Sequence, residues 1–162
     1  MHQTANPTAP DALCLRPFRP GDQPAARALI LAGLAERWGA LDPTLNPDLD
    51  DIAASYAGGV FLVATLGDRL VGTGALRPWS SGTGLACEDA EIVRMSVATD
   101  VRRQGIGRHI LDALCAAARA RGCRRVVLET TSTWTDAITF YEGAGFRRTH
   151  TQGGDTYFAL DL

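Results

Sequence analysis

The chain has 162 residues, of which 46% are hydrophobic, and this is enough for one domain with its own core. Its 16 basic residues, all of them arginine, face 18 acidic ones and leave a formal net charge of -2, whereas nucleic-acid-binding domains are usually basic. No apolar run approaches the length of a membrane span, so we expect neither a nucleic-acid partner nor a membrane partner.

The spacing of the cysteines and histidines indicates a reduced protein that binds no metal. No C-x-x-C pair is present, and free thiols are the simpler account of Cys14, Cys87, Cys115 and Cys123. The three histidines are too scattered to suggest a ligand set. The first residues also lack the apolar core of a signal peptide, so we expect a cytoplasmic protein without a metal.

The N-terminal third of the chain predicts a leader, a strand and a helix. Residues 1–11 are polar and contain prolines, so we expect a flexible leader followed by one domain over residues 12–162. Ala12–Pro17 fits a first strand, and Asp22 with Pro24 fits the start of a helix. The apolar series of this helix runs through Ala25, Leu29 and Leu34 to about Trp38.

A second helix and a hairpin follow a loop at Gly39–Pro47. Asp48 or Asp50 is expected to cap the short helix DLDDIAASYA, which ends before two glycines. Two β-branched runs flank Gly67-Asp68 and predict a hairpin with strands at Val60–Leu66 and Arg69–Leu76. The Gly, Ser and Pro content of Arg77–Asp89 fits neither a helix nor a strand, and we expect a loop there.

The central segment reads as a strand, a turn and an amphipathic helix. Ile92–Val97 is β-branched and aliphatic, as expected of a partly buried strand, and Asp100 offers a turn or a cap. Gly105 and Gly107 allow the backbone to approach another group closely. A helix is expected from about Gln104 to Arg121, with its apolar positions at Ile106, Ile110, Leu114 and Ala118.

The C-terminal third predicts a buried strand, a helix and a hairpin. Arg124–Thr130 fits the strand, and Ser132 or Thr133 is expected to cap a helix over Trp134–Gly143. The last hairpin turns at Gly153-Gly154 and joins Phe146–His150 to Asp155–Leu160. This order of elements predicts a mixed, largely antiparallel sheet with helices on its faces and one parallel pair joined by a right-handed crossover.

The turn before the central helix has the chemistry of a phosphate site. The N-terminus of a helix presents unpaired N–H groups and partial positive charge, which favour a phosphate or pyrophosphate. Arg102, Arg103 and Arg108 add permanent charge around it. A G-x-G pattern alone is explained equally well by close packing.

The fuller pattern resembles a known family. The run Arg102-Arg103-Gln104-Gly105-Ile106-Gly107 resembles the acyl-CoA loop R/Q-x-x-G-x-G/A of the GNAT N-acetyltransferase superfamily, and AITFYEGAGF, from Ala137 to Phe146, resembles its A-I-x-x-Y-x-x-x-G-F signature. The resemblance covers roughly Leu13 to Leu162. It implies a single α/β domain with about seven strands, about four helices, and a V-shaped split between the fourth and fifth strands.

The resemblance also implies acetyl-CoA as cofactor and identifies the residues that would hold it. The strand VRMSV would pair with the pantetheine arm, and a main-chain group of Met95 or Val97 would face the developing oxyanion. Trp134 departs from the family, which often has an asparagine there, and Thr131, Ser132 or Asp136 are candidates to replace that contact. The full set is Met95, Ser96, Val97, Arg102, Arg103, Gln104, Gly105, Ile106, Gly107, Arg108, Trp134 and Tyr141.

Two side chains are candidates for proton transfer. Glu91 resembles the strand glutamate that is the general base in the family's histone-acetyltransferase branch, and simple alternation places it on one face with Val93, Met95 and Val97. A strand-end carboxylate that is only solvated or paired with an arginine is an equal alternative. Tyr141 matches the residue that protonates the departing CoA sulfur, and its alternative is a core aromatic.

The predicted function is acetyl-CoA-dependent transfer of an acetyl group to a primary amine, through direct attack on the thioester. A small-molecule amine is the first choice of acceptor, because acidic clusters at Asp42/Asp48/Asp50/Asp51 and Glu88/Asp89/Glu91 favour a cationic partner, although helix capping explains them equally well. The alternatives are acetylation of a protein lysine or N-terminus and a non-catalytic acyl-CoA-binding module. An exposed edge strand near the C-terminus offers a surface for a homodimer.

Overall fold

The computed structural model describes residues 12–42, 44–79 and 89–162. The predicted leader at residues 1–11, and residues 80–88 of the predicted loop, lie outside the described residues. The strands are β1 Leu13–Pro17, β2 Val60–Leu66, β3 Arg69–Trp79, β4 Asp89–Val97, β5 Arg125–Thr131, β6 Arg147–Gln152 and β7 Asp155–Asp161. The helices are α1 Gln23–Trp38, α2 Ile52–Ser55, α3 Ile106–Ala120 and α4 Thr135–Gly143.

The seven strands form one sheet in the order β1-β2-β3-β4-β5-β7-β6. Every neighbouring pair is antiparallel except β4 with β5. These two parallel strands pair from Asp89↔Arg125 to Glu91↔Val127. Beyond that point β4 continues to Val97 and β5 to Thr131 without pairing to each other. The sheet is therefore split between its fourth and fifth strands, as the family resemblance implied.

Helices cover the two faces of the sheet unequally. On one face, α1 and α2 bury Ala26, Ile30 and Ile52 in a core that includes residues of β2, β3 and β4 but none of β5, β6 or β7 among the described residues. On the other face, α3 and α4 bury Ile110 and Ile138 in a core that continues into β5 and β7. Consequently the β5-β7-β6 half of the sheet has a helix layer on one face only.

Helix α3 lies so close to the sheet that β3 requires glycine beneath it. A Cβ at Gly74 would lie 2.5 Å from Ile110 Cγ2 and 2.7 Å from Met95 Sδ, well inside van der Waals contact. The predicted apolar positions of α3 are all buried, and Gly105, with φ 85°, stands just before the first helical residue. Only a residue without a side chain reaches that backbone conformation without strain.

A bulge in β4 corrects the predicted side-chain alternation. The register of β3 with β4 shifts between Thr73 and Ala75, and Arg94 adopts φ 58° with its carbonyl accepting a hydrogen bond from Thr73 Oγ1 at 2.8 Å. Because the bulge inserts one residue, the strand changes face beyond it. Val93 therefore packs with α1, whereas Met95 and Val97 pack with the α3 core, and the prediction that all three share a face with Glu91 is wrong.

Several predicted caps, apolar positions and element ends also differ from the structure. Asp22 is the N-cap residue of α1, as predicted, but its side chain accepts hydrogen bonds from Arg16 and from Arg19 N and none from the helix. Ala25 is exposed while Ala26 is buried. The cap of α2 is Asp51, which accepts from Ala54 N at 3.0 Å, and neither Asp48 nor Asp50. Ser132 pairs with Thr156, Trp134 precedes α4, and Arg77–Trp79 extends β3.

Candidate active site

Glu91 lies at the closed end of the split, at the last position where β4 pairs with β5. The residue is 5% exposed, and its Oε2 accepts a hydrogen bond from Arg77 Nε at 2.6 Å across the β3-β4 pair. The Arg77 side chain is 52% exposed, so one partner of this ion pair reaches solvent while the other is enclosed. The hydrogen bond to Glu91 raises the pKa of Arg77. The predicted base is thus positioned by an arginine, the alternative that the sequence left open.

Arg94 connects the open part of β4 to the segment between α1 and α2. Its Nε donates to Asp48 Oδ2 at 2.9 Å, its NH2 group to Asp48 Oδ1 at 2.5 Å, and its NH1 group to Asn46 Oδ1 at 3.0 Å. The Tyr56 hydroxyl donates to Asp48 Oδ2 at 2.7 Å. Burial raises the pKa of Asp48, but the hydrogen bonds from Arg94 and Tyr56 outweigh burial and hold it below the usual range. This ion pair fixes one wall of the split.

Arg94 is not among the site residues predicted from the sequence, although the sequence carries a signal for it. An arginine in the middle of the apolar run EIVRMSV requires either solvent or a charged partner. The left-handed conformation of a residue with a Cβ costs roughly 1–2 kcal/mol. Such a conformation persists only where its surroundings determine it, and here the partners are Asp48 and Asn46.

The turn from β4 into α3 presents main-chain groups to the open end of the split. Gly105 at the helix N-cap provides no side-chain cap, and a helix leaves the N–H groups of its first residues, here Ile106, Gly107 and Arg108, without intrahelical partners. Arg103 and Gln104 are exposed beside them. Gly107 brings α3 close to α4, because a Cβ there would lie 3.5 Å from the Phe140 ring. These unpaired donors fit a phosphate or diphosphate group.

Two of the three arginines at this turn already have carboxylate partners. Arg102 donates to both oxygens of Glu36, at 3.0 and 2.9 Å, and through Nε to Val97 O at 3.1 Å. Arg108 pairs with Asp112 one helical turn later. To bind a phosphate, each of these guanidinium groups therefore has to contact the phosphate beside its carboxylate partner or release that carboxylate.

The C-terminal end of α1 bridges to α4. Arg37 makes a bidentate ion pair with Asp136, at 3.0 and 2.8 Å, and its Cζ lies 4.5 Å from the centroid of the Trp134 ring. Trp38 packs against Trp134 with ring centroids 5.3 Å apart. Trp134 and Asp136 thus contact the end of α1, and the Ser132 hydroxyl forms a hydrogen bond with the Thr156 hydroxyl. Together with Arg102–Glu36, these contacts attach one helix end to the β4-α3 turn and to the start of α4.

Tyr141 is 8% exposed and packs among aromatic rings of the α4 face. Its ring centroid lies 5.1 Å from that of Phe140 and 6.0 Å from those of Phe146 and Phe158. Burial raises the pKa of Tyr141 to about 12. Its hydroxyl therefore keeps its proton at neutral pH. Among the described residues, none forms a hydrogen bond with the Tyr141 hydroxyl, so the structure does not link the two predicted catalytic groups directly.

The predicted acidic clusters are largely neutralised. Asp48 pairs with Arg94, Glu91 with Arg77 and Asp89 with Arg125, while Glu88 lies outside the described residues. Within the described part of the chain, no three His, Cys, Asp or Glu side chains are grouped so that they could hold a metal ion. None of the described helices is both long and apolar enough to cross a membrane.

Comparison with solved structures supports the fold. An acetyltransferase of the GNAT family from Staphylococcus aureus MU50 superposes with a TM-score of 0.82 at 20% identity, covering 93% of this chain and 99% of that one. PaiA N-acetyltransferase from Thermoplasma acidophilum, solved with coenzyme A, gives a TM-score of 0.79 at 16% identity, with 93% and 99% covered. YncA from Salmonella typhimurium, a putative acetyltransferase solved with acetyl-CoA, gives 0.75 at 23% identity, with 93% and 94% covered.

Comparison of sequences identifies the family. N-acetyltransferase 8F1 of Rattus norvegicus is 36% identical over 107 residues, which are 65% of this chain and 48% of the relative. N-acetyltransferase 8B of Homo sapiens is 31% identical over 121 residues, 73% of this chain and 51% of the relative. The chain thus spans about half the length of the curated relatives it matches. The model of the Acetyltransferase (GNAT) family matches residues 27–146, and the chain belongs to that family.

Proposed function

We propose that this chain is an acetyl-CoA-dependent N-acetyltransferase that acts on a primary amine of a small molecule by direct attack. The observation that carries the proposal is the split between β4 and β5, which opens beside the uncapped N-terminus of α3 and closes at Glu91. A free strand edge can pair with an extended ligand arm, and a helix N-terminus favours phosphate. The relatives solved with coenzyme A or acetyl-CoA support the same donor here.

The cofactor brings an activated acetyl thioester, and main-chain groups of this chain hold it. In the proposal, Met95, Ser96 and Val97 bind the arm along β4 through their main-chain groups. The pyrophosphate is held by N–H groups of Arg103, Gln104, Gly105, Ile106, Gly107 and Arg108, with the side chains of Arg102, Arg103 and Arg108 adding charge. In the proposal, Trp134, just before α4, and Tyr141 of α4 contribute to the cofactor site from the β5 side of the split.

Glu91 is the proposed general base. An alkylammonium has no lone pair at neutral pH, so the acceptor must lose a proton before attack. The hydrogen bond from Arg77 Nε to Oε2 fixes the carboxylate where the two strands separate, and the enclosed position of Glu91 excludes bulk water from it. The oxyanion donor in this scheme is the main chain of Met95 or Val97.

Tyr141 is the proposed general acid. Its Oη keeps a proton at neutral pH, since burial raises its pKa to about 12, and it makes no hydrogen bond that would compete for this proton among the described residues. The proton is given to the sulfur as the thiolate leaves. The same ring contributes to the core, so the hydroxyl and the ring have separate roles.

The test is consumption of acetyl-CoA with a broad library of amines, together with calorimetry for coenzyme A. We expect turnover with small amines, and Tyr141→Phe should lower kcat roughly ten- to a thousandfold while coenzyme A binding is retained. Glu91→Gln should lower turnover most at about pH 6 and least at about pH 9, where more of the amine is already deprotonated. Tight coenzyme A binding without turnover on any amine would identify a non-catalytic module, and peptide acetylation alone would favour a protein acceptor.

Two further properties accompany the proposal. The thiols of Cys14 and Cys115 are free, which supports a reduced, cytoplasmic setting.

Strand β6 stands at the edge of the sheet with every residue exposed, and supports a homodimer through that edge. Size-exclusion chromatography with light scattering measures the oligomeric state directly.

A further inference from the structure

A row of three polar side chains crosses the half of the sheet that has no helix on the α1 side. Glu129 of β5 stands directly opposite Tyr157 of β7, and Tyr157 stands opposite His150 of β6. Residues opposite each other across a ladder share a face. Their neighbours Leu128 and Phe158 are buried in the α3-α4 core, so the row points to the other face, which is the face of α1 and α2.

The row is built from close contacts. The His150 and Tyr157 rings are stacked, with centroids 4.3 Å apart and an interplanar angle of 9°. Because His150 covers the β6 side of the Tyr157 ring, the other side of the ring is turned toward β5 and Glu129. Hydrogen bonding to the Glu129 carboxylate is the largest cause that raises the pKa of Tyr157. The negative charge of Glu91 also raises it.

The row lies next to the open end of the split. Val127 is the last residue of β5 that pairs with β4, opposite Glu91, and Glu129 follows on the same face two residues further along. A molecule that reached Glu91 from the α1 side would therefore pass Glu129 and Tyr157. On the opposite wall it would meet Arg94, which is already paired with Asp48.

Glu129 differs from the other carboxylates around the split in its charge balance. Asp48, Glu91 and Asp89 each have an arginine partner. Glu129 is exposed and makes none of the ion pairs found among the described residues, and its neighbour is a neutral tyrosine. An exposed carboxylate beside an aromatic ring has the charge and the π surface that attract an ammonium group.

We propose that Glu129, with Tyr157 and His150 behind it, holds a second ammonium group of the acceptor, so that the preferred substrates are diamines and polyamines. This inference rests on the proposed function. One amine enters the split at Glu91 and is acetylated, while the other stays charged at Glu129. A monoamine of the same length lacks the second contact and binds more weakly, and an amine with a carboxylate at its far end is disfavoured by like charge.

The experiment compares linear diamines with monoamines of matched length. With the full chain we expect KM for the best diamine to lie roughly ten- to hundredfold below that of its monoamine, as charged hydrogen bonds of this kind contribute. Glu129→Gln should raise KM for the diamine by about the same factor. It should leave kcat and the KM of the monoamine nearly unchanged. Added salt should weaken the diamine preference of the original chain more than that of the variant.

Matched variants separate recognition from a general change of charge. Asp68→Asn removes the same charge from the exposed β2-β3 turn and should leave the diamine preference unchanged. Tyr157→Phe keeps the ring and removes the hydroxyl beside Glu129, and should lower the preference less than Glu129→Gln does. Melting curves of each variant verify that it is folded.

Failure of this inference is distinct from failure of the proposed function. Titration of a diamine into the protein saturated with coenzyme A measures the same contact without turnover. Weaker diamine binding in Glu129→Gln supports the inference even if no amine is acetylated. Equal affinities for diamine and monoamine, equal effects of Glu129→Gln and Asp68→Asn, or preference for an amine bearing a carboxylate would each overturn it.

Discussion

The two halves of the sheet, on either side of the split, are built differently. The β1-β4 half is enclosed by α1 and α2 on one face and by α3 on the other, and its charged groups occur in pairs such as Arg94–Asp48. The β5-β7-β6 half has helices on one face only and exposes Glu129 and His150 on the other. One half therefore fixes the geometry of the split, and the other half leaves one face of the sheet uncovered, where we propose that the acceptor binds.

This comparison predicts that substitutions in the β1-β4 half affect stability, whereas those in the exposed row affect recognition. Arg94→Met should have the largest effect on stability, because it leaves the partly buried Asp48 carboxylate with Tyr56 as its remaining partner. We expect a loss of about 3 kcal/mol in the free energy of unfolding, measured by urea denaturation. The double variant with Asp48→Asn should recover part of this loss, and equal small losses in both would contradict the assignment.

The same ion pair determines a response to acid. The pKa of Asp48 lies below its usual range in the folded protein, so its contribution to stability is present above the pKa of the unfolded chain, about 3.9, and is lost as the pH falls through the lower, folded value. Asp48→Asn should therefore flatten the decline of stability below about pH 4. Unfolding midpoints measured from neutral to acidic pH provide this comparison.

Gly74→Ala tests how tightly α3 lies against the same half. The added methyl would meet Ile110, Met95 and Leu114 at 2.5 to 3.0 Å, and overpacking of this kind typically costs about 2 kcal/mol. Gly58→Ala is the matched control, because no heavy atom lies within 4 Å of a Cβ at that position. A stability loss shared by both variants would indicate backbone effects and not the α3 contact.

Arg37→Met tests the bridge from α1 to α4. The substitution removes the bidentate pair with Asp136 and the contact over Trp134, and these partly exposed interactions together contribute about 1 kcal/mol. Tryptophan fluorescence should change as well, since Trp134 loses a cation from its ring. Arg69→Met breaks the exposed pair with Asp100 and should cost less. An equal cost would mean that the ring contact adds nothing.

Glu129→Gln should have the smallest effect on folding. The side chain is exposed and makes none of the ion pairs found among the described residues, so the free energy of unfolding should change by less than about 0.5 kcal/mol. Thermal denaturation measures this directly. A larger loss would place Glu129 in the structural half of the comparison and would weaken its assignment to acceptor recognition.

Most of the fold followed from local patterns in the sequence. The hairpin at Gly67-Asp68 and the apolar series of α3 each depend on neighbouring residues alone, and both appear where they were predicted. The split itself was implied by the family motifs, because no local pattern says where two parallel strands stop pairing. Local sequence patterns therefore predicted the helices and strands better than they predicted how the strands pair.

The errors arise where distant residues determine the outcome. Alternation predicted that Met95 shares a face with Glu91, but the bulge at Arg94 moves Met95 to the opposite face of the sheet. Asp48, the partner of Arg94, lies 46 positions away in the sequence. The cap of α2 was predicted at Asp48 or Asp50, because propensity does not distinguish between neighbouring acids. Asp48 pairs with Arg94, and Asp51, directly before the first residue of α2, provides the cap. Long-range charge pairing cannot be read from propensity or spacing.

The exclusive use of arginine among the basic residues has a practical consequence for kinetics. The pKa values of Arg77, Arg94 and Arg125 are raised above the ordinary arginine value, so the cations around the split stay charged at strongly alkaline pH. Alkylamines release their proton near pH 10.4. Rates can thus be measured at a pH where the amine loses its proton unaided while these cations remain charged. The difference between that rate and the rate near neutral pH tests the proposed removal of a proton by Glu91.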